Sequence, residues 1–242
     1  MEPILLAFAS AAAAELGGYL ALGKRKSLNL TLGFTAGILL GLVAFDLLPE
    51  IFSLVNESNL DSVWPMVGLV VGFLLFHTVE KSILIHHSNE KDYVVHHHPH
   101  VGFASAFALV GHSFLDGMSI GIAFQVNSAV GVAVAIAVIG HRFADGFNGV
   151  NLMLLNKNST SQARSALAVV AIAPVLGAIS TIFFTLPSSA LAIYLGFFAG
   201  FLIYIGASDI LPQAHSKGSS RVTIGLTILG AVFMFVVTRL LG

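Results

Sequence analysis

An all-α membrane protein with eight transmembrane helices is the architecture expected of this chain. Its composition cannot cover a water-facing surface, its apolar stretches have the length of a bilayer, and its polar motifs recur on oppositely directed stretches. Of 242 residues, 56% are hydrophobic and only 10% are charged, where a soluble domain carries about 25% charged residues. A soluble enzyme, a nucleic-acid binder and a secreted disulfide scaffold are excluded on this ground. The formal charge of −1 argues separately against nucleic acid as a partner, which would demand a basic face. There is no cysteine, so any metal chemistry must use nitrogen and oxygen ligands.

A spanning helix needs roughly 20 mostly apolar residues. Cutting the chain at its polar clusters yields eight such stretches, near 3–22, 28–49, 63–85, 101–124, 128–155, 161–185, 188–211 and 221–241. Span one holds Glu15, and with Glu2 and no basic residue ahead of it, it makes a poor secretory signal. Span two ends in Asp46-Leu-Leu-Pro-Glu50. Span three opens at Trp64-Pro65, an interfacial anchor, and carries His77 and Glu80 near its far end. Glu15, His77 and Glu80 suit a proton or metal path and, equally, a paired structural hydrogen bond. Spans four and five carry His112-Ser-Phe-Leu-Asp116-Gly117 and His141-Arg-Phe-Ala-Asp145-Gly146, on either side of a turn near residue 127. Span six contains Ala173-Pro174, span seven ends in Asp209-Ile-Leu-Pro-Gln213, and span eight is apolar up to Arg239. Little chain remains outside the membrane, so 1–242 reads as a single multi-pass domain embedded in a lipid bilayer.

Basic residues set the orientation. Lys24, Arg25, Lys26, Lys91, Lys157, Arg164, Lys217 and Arg221 lie in connections 1–2, 3–4, 5–6 and 7–8, with Lys81 at the edge of span three. Connections 2–3, 4–5 and 6–7 hold no Lys or Arg. The former are therefore expected in the cytoplasm, with both termini outside. Arg239 lies at the extreme C-terminal end, and Arg142 alone falls well inside a span. Spans two and seven share a motif and cross in opposite directions, as do four and five. Matching motifs on oppositely directed helices indicate an inverted repeat, a plan common in transporters with a site near the midplane.

His112 and Asp116 are four residues apart and share one helix face, as do His141 and Asp145. Each histidine lies about 20 Å from the 4–5 turn at 1.5 Å rise per residue, deep in the hydrocarbon, where such groups face a partner, an ion or water. Two imidazoles and two carboxylates suit Zn²⁺, Fe²⁺, Mn²⁺ or Co²⁺. A single membrane His-x-x-x-Asp is as readily an internal hydrogen bond; the second copy at matched depth favours metal. Gly117, Gly121, Gly146 and Gly149 would let these helices approach closely, or serve as ordinary packing glycines.

The paired His-x-x-x-Asp-Gly, the Asp-Leu-Leu-Pro-Glu end of span two and Gly196-Phe-Phe-Ala-Gly200-Phe-Leu-Ile-Tyr204 of span seven resemble the ZIP family of divalent metal transporters over essentially the whole chain. The resemblance implies a 3+2+3 inverted-repeat bundle, often a homodimer. It implies zinc as cargo, with iron, manganese, cobalt or cadmium as alternatives, carried toward the cytoplasm by sliding of the metal-carrying helices, with no catalytic cofactor. Three positions depart from the family. Ser113 replaces an Asn, Arg142 follows the span-five histidine where a carboxylate or amide is usual, and Ala173 stands before Pro174 where a Glu is frequent. These positions resemble a second metal site. Ser113 is a weak ligand, Ala173 is none, and Arg142 only donates. One transport metal is therefore expected, with Arg142 in the place of a second cation and as counter-charge to Asp116 and Asp145. The usual Pro before each motif acid is also missing, at Leu115 and Ala144.

The 3–4 connection holds His86, His87, His96, His97, His98 and His100. Such tracts bind zinc loosely, and this one reads as a cytoplasmic acceptor or sensor. Asp46 and Glu50 at the outer end of span two are expected at the way in, and Asp209, Gln213 and His215 at the way out; helix-end solvation is the plain alternative. The competing activity is an intramembrane zinc hydrolase using the same four ligands, although catalytic zinc usually keeps three protein ligands and one water. A proton or sodium exchanger built on the carboxylates leaves the doubled histidines unexplained. A multi-pass protein of this kind is expected in the cell membrane.

Overall fold

The computed structural model describes residues 1–22, 29–88, 99–155, 157–215 and 221–241, and these are helical throughout apart from short turns. Helix α1 is Glu2–Leu22. Helix α2 runs through Asn29–Leu42, a π-helical segment Val43–Leu47, and Leu48–Ser58. Then follow α3 (Val63–Ser88), α4 (Pro99–Val126), α5 (Ser128–Leu155) and α6 (Thr160–Ser180), the last extended by a 3₁₀ turn Thr181–Phe183. Helix α7 comprises Ser188–Ile203, a π-helical segment Tyr204–Ile210, and Leu211–His215, and α8 is Arg221–Leu241.

The chain is an all-α membrane protein. Six described segments are long and apolar enough to cross a bilayer, Glu2–Leu22, Leu32–Ser58, Ser128–Asn151, Thr160–Phe183, Ser188–Ser208 and Arg221–Leu240, while Val63–Val79 is a shorter apolar helix. Outward faces are apolar too: Leu5 and Phe8 of α1, Leu74 of α3 and Ile228 of α8 are all exposed. In water such faces would drive aggregation; in lipid they are at home.

Local chemistry sets the boundaries. The turn between α4 and α5 falls at Asn127, whose Oδ1 accepts from the Val130 N–H at 2.9 Å. A capping box opens α6, with the Gln162 N–H donating to Ser159 Oγ and the Ser159 N–H to Gln162 Oε1. Spans two and seven differ from expectation. They were expected to stop near residues 49 and 211, yet both helices continue, to Ser58 and His215. Pro49 and Pro212 lack the N–H that an α-helix needs, and each stands two residues past the end of a π-helical segment. There Leu48 donates to Val43 and Leu211 to Gly206, five residues back, so the wider turn admits the proline ring. Beyond Pro49, Ile51, Leu54 and Val55 are buried and draw the extra turns against α7.

The most extensive interfaces pair α1 with α5, α4 with α6, α2 with α8 and α3 with α7. Exchanging α1 with α6, α2 with α7, α3 with α8 and α4 with α5 maps this set onto itself. The bundle divides into two groups, α1, α4, α5 and α6 against α2, α3, α7 and α8, which meet mainly where α2 and α8 touch α5 and α7 touches α4. Within each group, backbones approach through reciprocal glycines. A Cβ on Gly146 would overlap the Ala14 carbonyl and one on Gly17 the Phe143 carbonyl; Gly117 stands likewise on Pro174 and Gly177 on Phe114. The motif glycines are thus packing residues that seat α5 on α1 and α4 on α6. Gly117→Ala is expected to lower stability by about 3 kcal/mol or more, because helix backbones rather than a flexible side chain must move. A thermal-unfolding comparison in detergent checks this.

Candidate metal site

Helices α4 and α5 bring His112, Asp116, His141 and Asp145 to one point, with a ligand atom from each lying within 4.8 Å of all the others. His112 Nε2 lies 3.3 Å from Asp116 Oδ2 and 3.5 Å from Asp145 Oδ2; for His141 Nε2 the same separations are 3.3 and 3.6 Å. Ligands of a tetrahedral zinc at 2.0–2.1 Å stand about 3.4 Å apart, so the four mixed separations match the edges of such a shell. His141 and Asp116 are fully buried, and the side chains of His112 and Asp145 keep 13% and 12% exposure. The site is therefore enclosed on the His141–Asp116 side and reachable along the His112–Asp145 edge.

Hydrogen bonding decides which atoms face inward. His141 Nδ1 donates to the Ala137 carbonyl at 3.0 Å, which turns Nε2 toward the carboxylates, and in the neutral ring Nε2 presents its lone pair there. Asp116 Oδ1, Asp145 Oδ2 and His112 Nε2 are buried without a hydrogen-bond donor. Acceptors converging in this way in a low-dielectric interior require a cation. A nitrogen–oxygen set with one imidazole fixed from behind by the Ala137 carbonyl is suited to a divalent transition metal.

Arg142 occupies the far side of Asp145. Its side chain is fully buried. Nη1 donates to Ser113 Oγ at 2.6 Å and lies 3.5 Å from Asp145 Oδ2, and Nη2 donates to the Val170 carbonyl at 2.8 Å. Pro174 lies four residues after Val170 inside α6, and it has no N–H to give. The proline thus releases the carbonyl that the guanidinium takes. Ser113 Oγ donates in turn to the Leu109 carbonyl at 2.6 Å. Sequence reasoning placed Arg142 near the acids but missed Val170; the four-residue offset from Pro174 was the signal.

The other expected residues lie apart from this cluster. Asp46 sits in the π-helical part of α2, half-buried, with Oδ2 buried and without a hydrogen-bond partner. Glu50 is half-buried one turn on. The backbone puts Asp209 in the π-helical part of α7 and Gln213 just beyond it; their side chains, like that of Glu80, lie outside the described residues. His215 donates through Nδ1 to the Leu211 carbonyl at 2.9 Å. His96, His97 and His98 lie outside the described residues, as do the side chains of His86, His87 and His100. His77 is exposed, its ring edge toward Tyr204 at 5.7 Å between centroids. Sequence reasoning gave no role to Phe76 and Phe201, whose rings lie 6.0 and 4.8 Å from that of His112, nor to Ser119 and Tyr194, whose hydroxyls join α4 to α7 at 2.6 Å.

Fold and site together define a multi-pass α-helical membrane protein that holds two imidazoles and two carboxylates at one point between two adjacent helices. The family described as ZIP Zinc transporter matches residues 85–238, and the chain belongs to that family. It is a divalent metal transporter by membership, in a family of transporters rather than enzymes. No curated protein matches the chain.

Proposed function

We propose that this chain carries one divalent metal ion per cycle, zinc foremost with iron, manganese, cobalt or cadmium as alternatives, across the cell membrane toward the cytoplasm. His112, Asp116, His141 and Asp145 hold the ion, and Arg142, seated by Ser113, takes the place of a second one. The convergence of two imidazole nitrogens and two carboxylate oxygens, with mixed separations of 3.3, 3.5, 3.3 and 3.6 Å, is the observation that carries this reading. Four protein ligands leave no open position for a catalytic water, which disfavours the hydrolase alternative.

Arg142 makes the cargo cycle electrically moderate. With neutral imidazoles the empty site holds two carboxylates and one guanidinium, −2 + 1 = −1; a divalent ion makes it +1. Without the guanidinium the empty site would carry −2 through the hydrocarbon, where each charge is expensive. Movement of α1, α4, α5 and α6 against the other four helices alternates access, because those four carry the site and their contacts to the rest are the sparser ones. Asp46 and Glu50 collect the ion on the outer side, and Asp209, Gln213, His215 and the His86–His100 segment receive it inside. Termini outside follow from the distribution of Lys and Arg. The inverted repeat accounts for the symmetric packing, and a homodimer is the expected assembly.

Zinc flux into proteoliposomes tests this. The intact chain is expected to take up zinc, and His141→Ala and Asp145→Ala to abolish uptake. Stoichiometric binding with no flux of any divalent ion would overturn the transporter reading and bring the hydrolase forward.

A further inference from the structure

The two imidazoles of the cluster are held in different ways. His141 is fixed by its own helix, through the Ala137 carbonyl one turn back. For His112 no such backbone acceptor exists among the described residues. Its ring is held edge-on by Phe201, with centroids 4.8 Å apart at 73°, and by Phe76, at 6.0 Å and 88°. Phe76 and Phe201 lie against each other at 3.9 Å, and Phe201 is 1% exposed. Aromatic edges and faces in this geometry restrict a ring beyond simple area burial. Phe76 belongs to α3 and Phe201 to α7, whereas His112 belongs to α4. One ligand is thus supported from within the site-bearing group of helices and the other from the opposing group.

We propose that Phe201, backed by Phe76, is the positioning residue for His112, so that His112 ligates only while α4 lies against α7. The inference rests on the four-residue cluster being the metal site. When the two groups of helices move past each other, His141 takes its support along and His112 leaves its support behind. An imidazole without that wall regains its rotamers, and the ion loses one of four ligands. The metal is then bound tightly in the packed state and loosely in the displaced one, which couples release to the motion itself.

Co²⁺ binding to the full chain in detergent, followed by visible absorption, tests the proposal without measuring transport. Phe201→Leu is expected to weaken Co²⁺ binding about tenfold or more, the loss usual when a ligand's outer support is removed. Its absorption should move toward that of His112→Ala. The double variant Phe201→Leu/His112→Ala should bind no more weakly than His112→Ala alone, since both changes act through one ligand. Phe76→Leu should act in the same direction with a smaller loss, and it decides the matter should Phe201→Leu not fold. Intact-like affinity and spectrum in the phenylalanine variants, or additive losses in the double variant, would overturn the proposal. Intact-like binding by His112→Ala would instead refute the cluster as the metal site, so the two failures are distinguishable.

Discussion

Asp116→Asn is expected to make the metal-free protein more stable and the metal-binding protein inert. With the His141 ring neutral, as a ligand to a divalent ion must be, the Asp116 carboxylate and the Nε2 lone pair face each other at 3.3 Å in the empty site, Nδ1 being already committed to Ala137. An amide of the same shape supplies an N–H to that lone pair, turning an acceptor–acceptor contact into a hydrogen bond worth about 1 kcal/mol. The thermal midpoint of the empty protein should rise by about 2–4 °C for a chain of this length. Asn is a poor ligand, and metal affinity should fall more than about 100-fold, beyond what loss of a ligand's outer support costs. Thermal scans with and without zinc read both effects at once. A His–Asp pair joined by a proton on Nε2 predicts the opposite sign, so a drop in the midpoint would show that the empty site is an imidazolium–carboxylate pair, while unchanged zinc stabilisation would refute Asp116 as a ligand. Gain of stability on removing a functional charge is a recurrent trade-off in natural proteins.

Arg142→Met should be among the most damaging single changes in the chain. Methionine fills much of the space but cannot bond Ser113 Oγ or the Val170 carbonyl, and it leaves the two carboxylates with no resident cation. Removing one partner from a buried charged set costs about 3–5 kcal/mol. Part of this should be recoverable in a particular way. Pro174→Ala restores an N–H to α6 opposite the Val170 carbonyl, so Arg142→Met/Pro174→Ala is expected to regain about 1 kcal/mol of the loss. A double-mutant cycle measured by thermal unfolding in detergent isolates that coupling. Strict additivity of the two changes would show that arginine and proline act separately.

Much of this arrangement was legible in the amino-acid order because two simple periods govern it. The 3.6-residue turn puts His112 with Asp116, and His141 with Asp145, on single faces, and equal distance from the Asn127 turn puts both pairs at one depth. Composition and the length of the apolar stretches were enough for an all-α membrane protein. The helix ends at Pro49 and Pro212 were not legible, because proline signals a break and only the wider π-helical turn shows how a helix passes through one. Nor was the support of His112, since Phe76 and Phe201 are 36 and 89 positions away in the chain and look like any other apolar residue of a span.

The sequence by itself determined which side chains are charged, which faces they share and how deep they lie, for these follow from local geometry and the thickness of the bilayer. The tertiary structure alone decided which faces meet. Gly117 on Pro174 and Gly146 on Ala14 set how closely α4 and α5 seat on α6 and α1, and that seating turns two separate His-Asp pairs into one four-atom shell. It also gives the Arg142 guanidinium the carbonyl that Pro174 leaves free. Contacts between helices distant in the chain depend on crossing angles and backbone approach, which no periodicity within a single helix encodes.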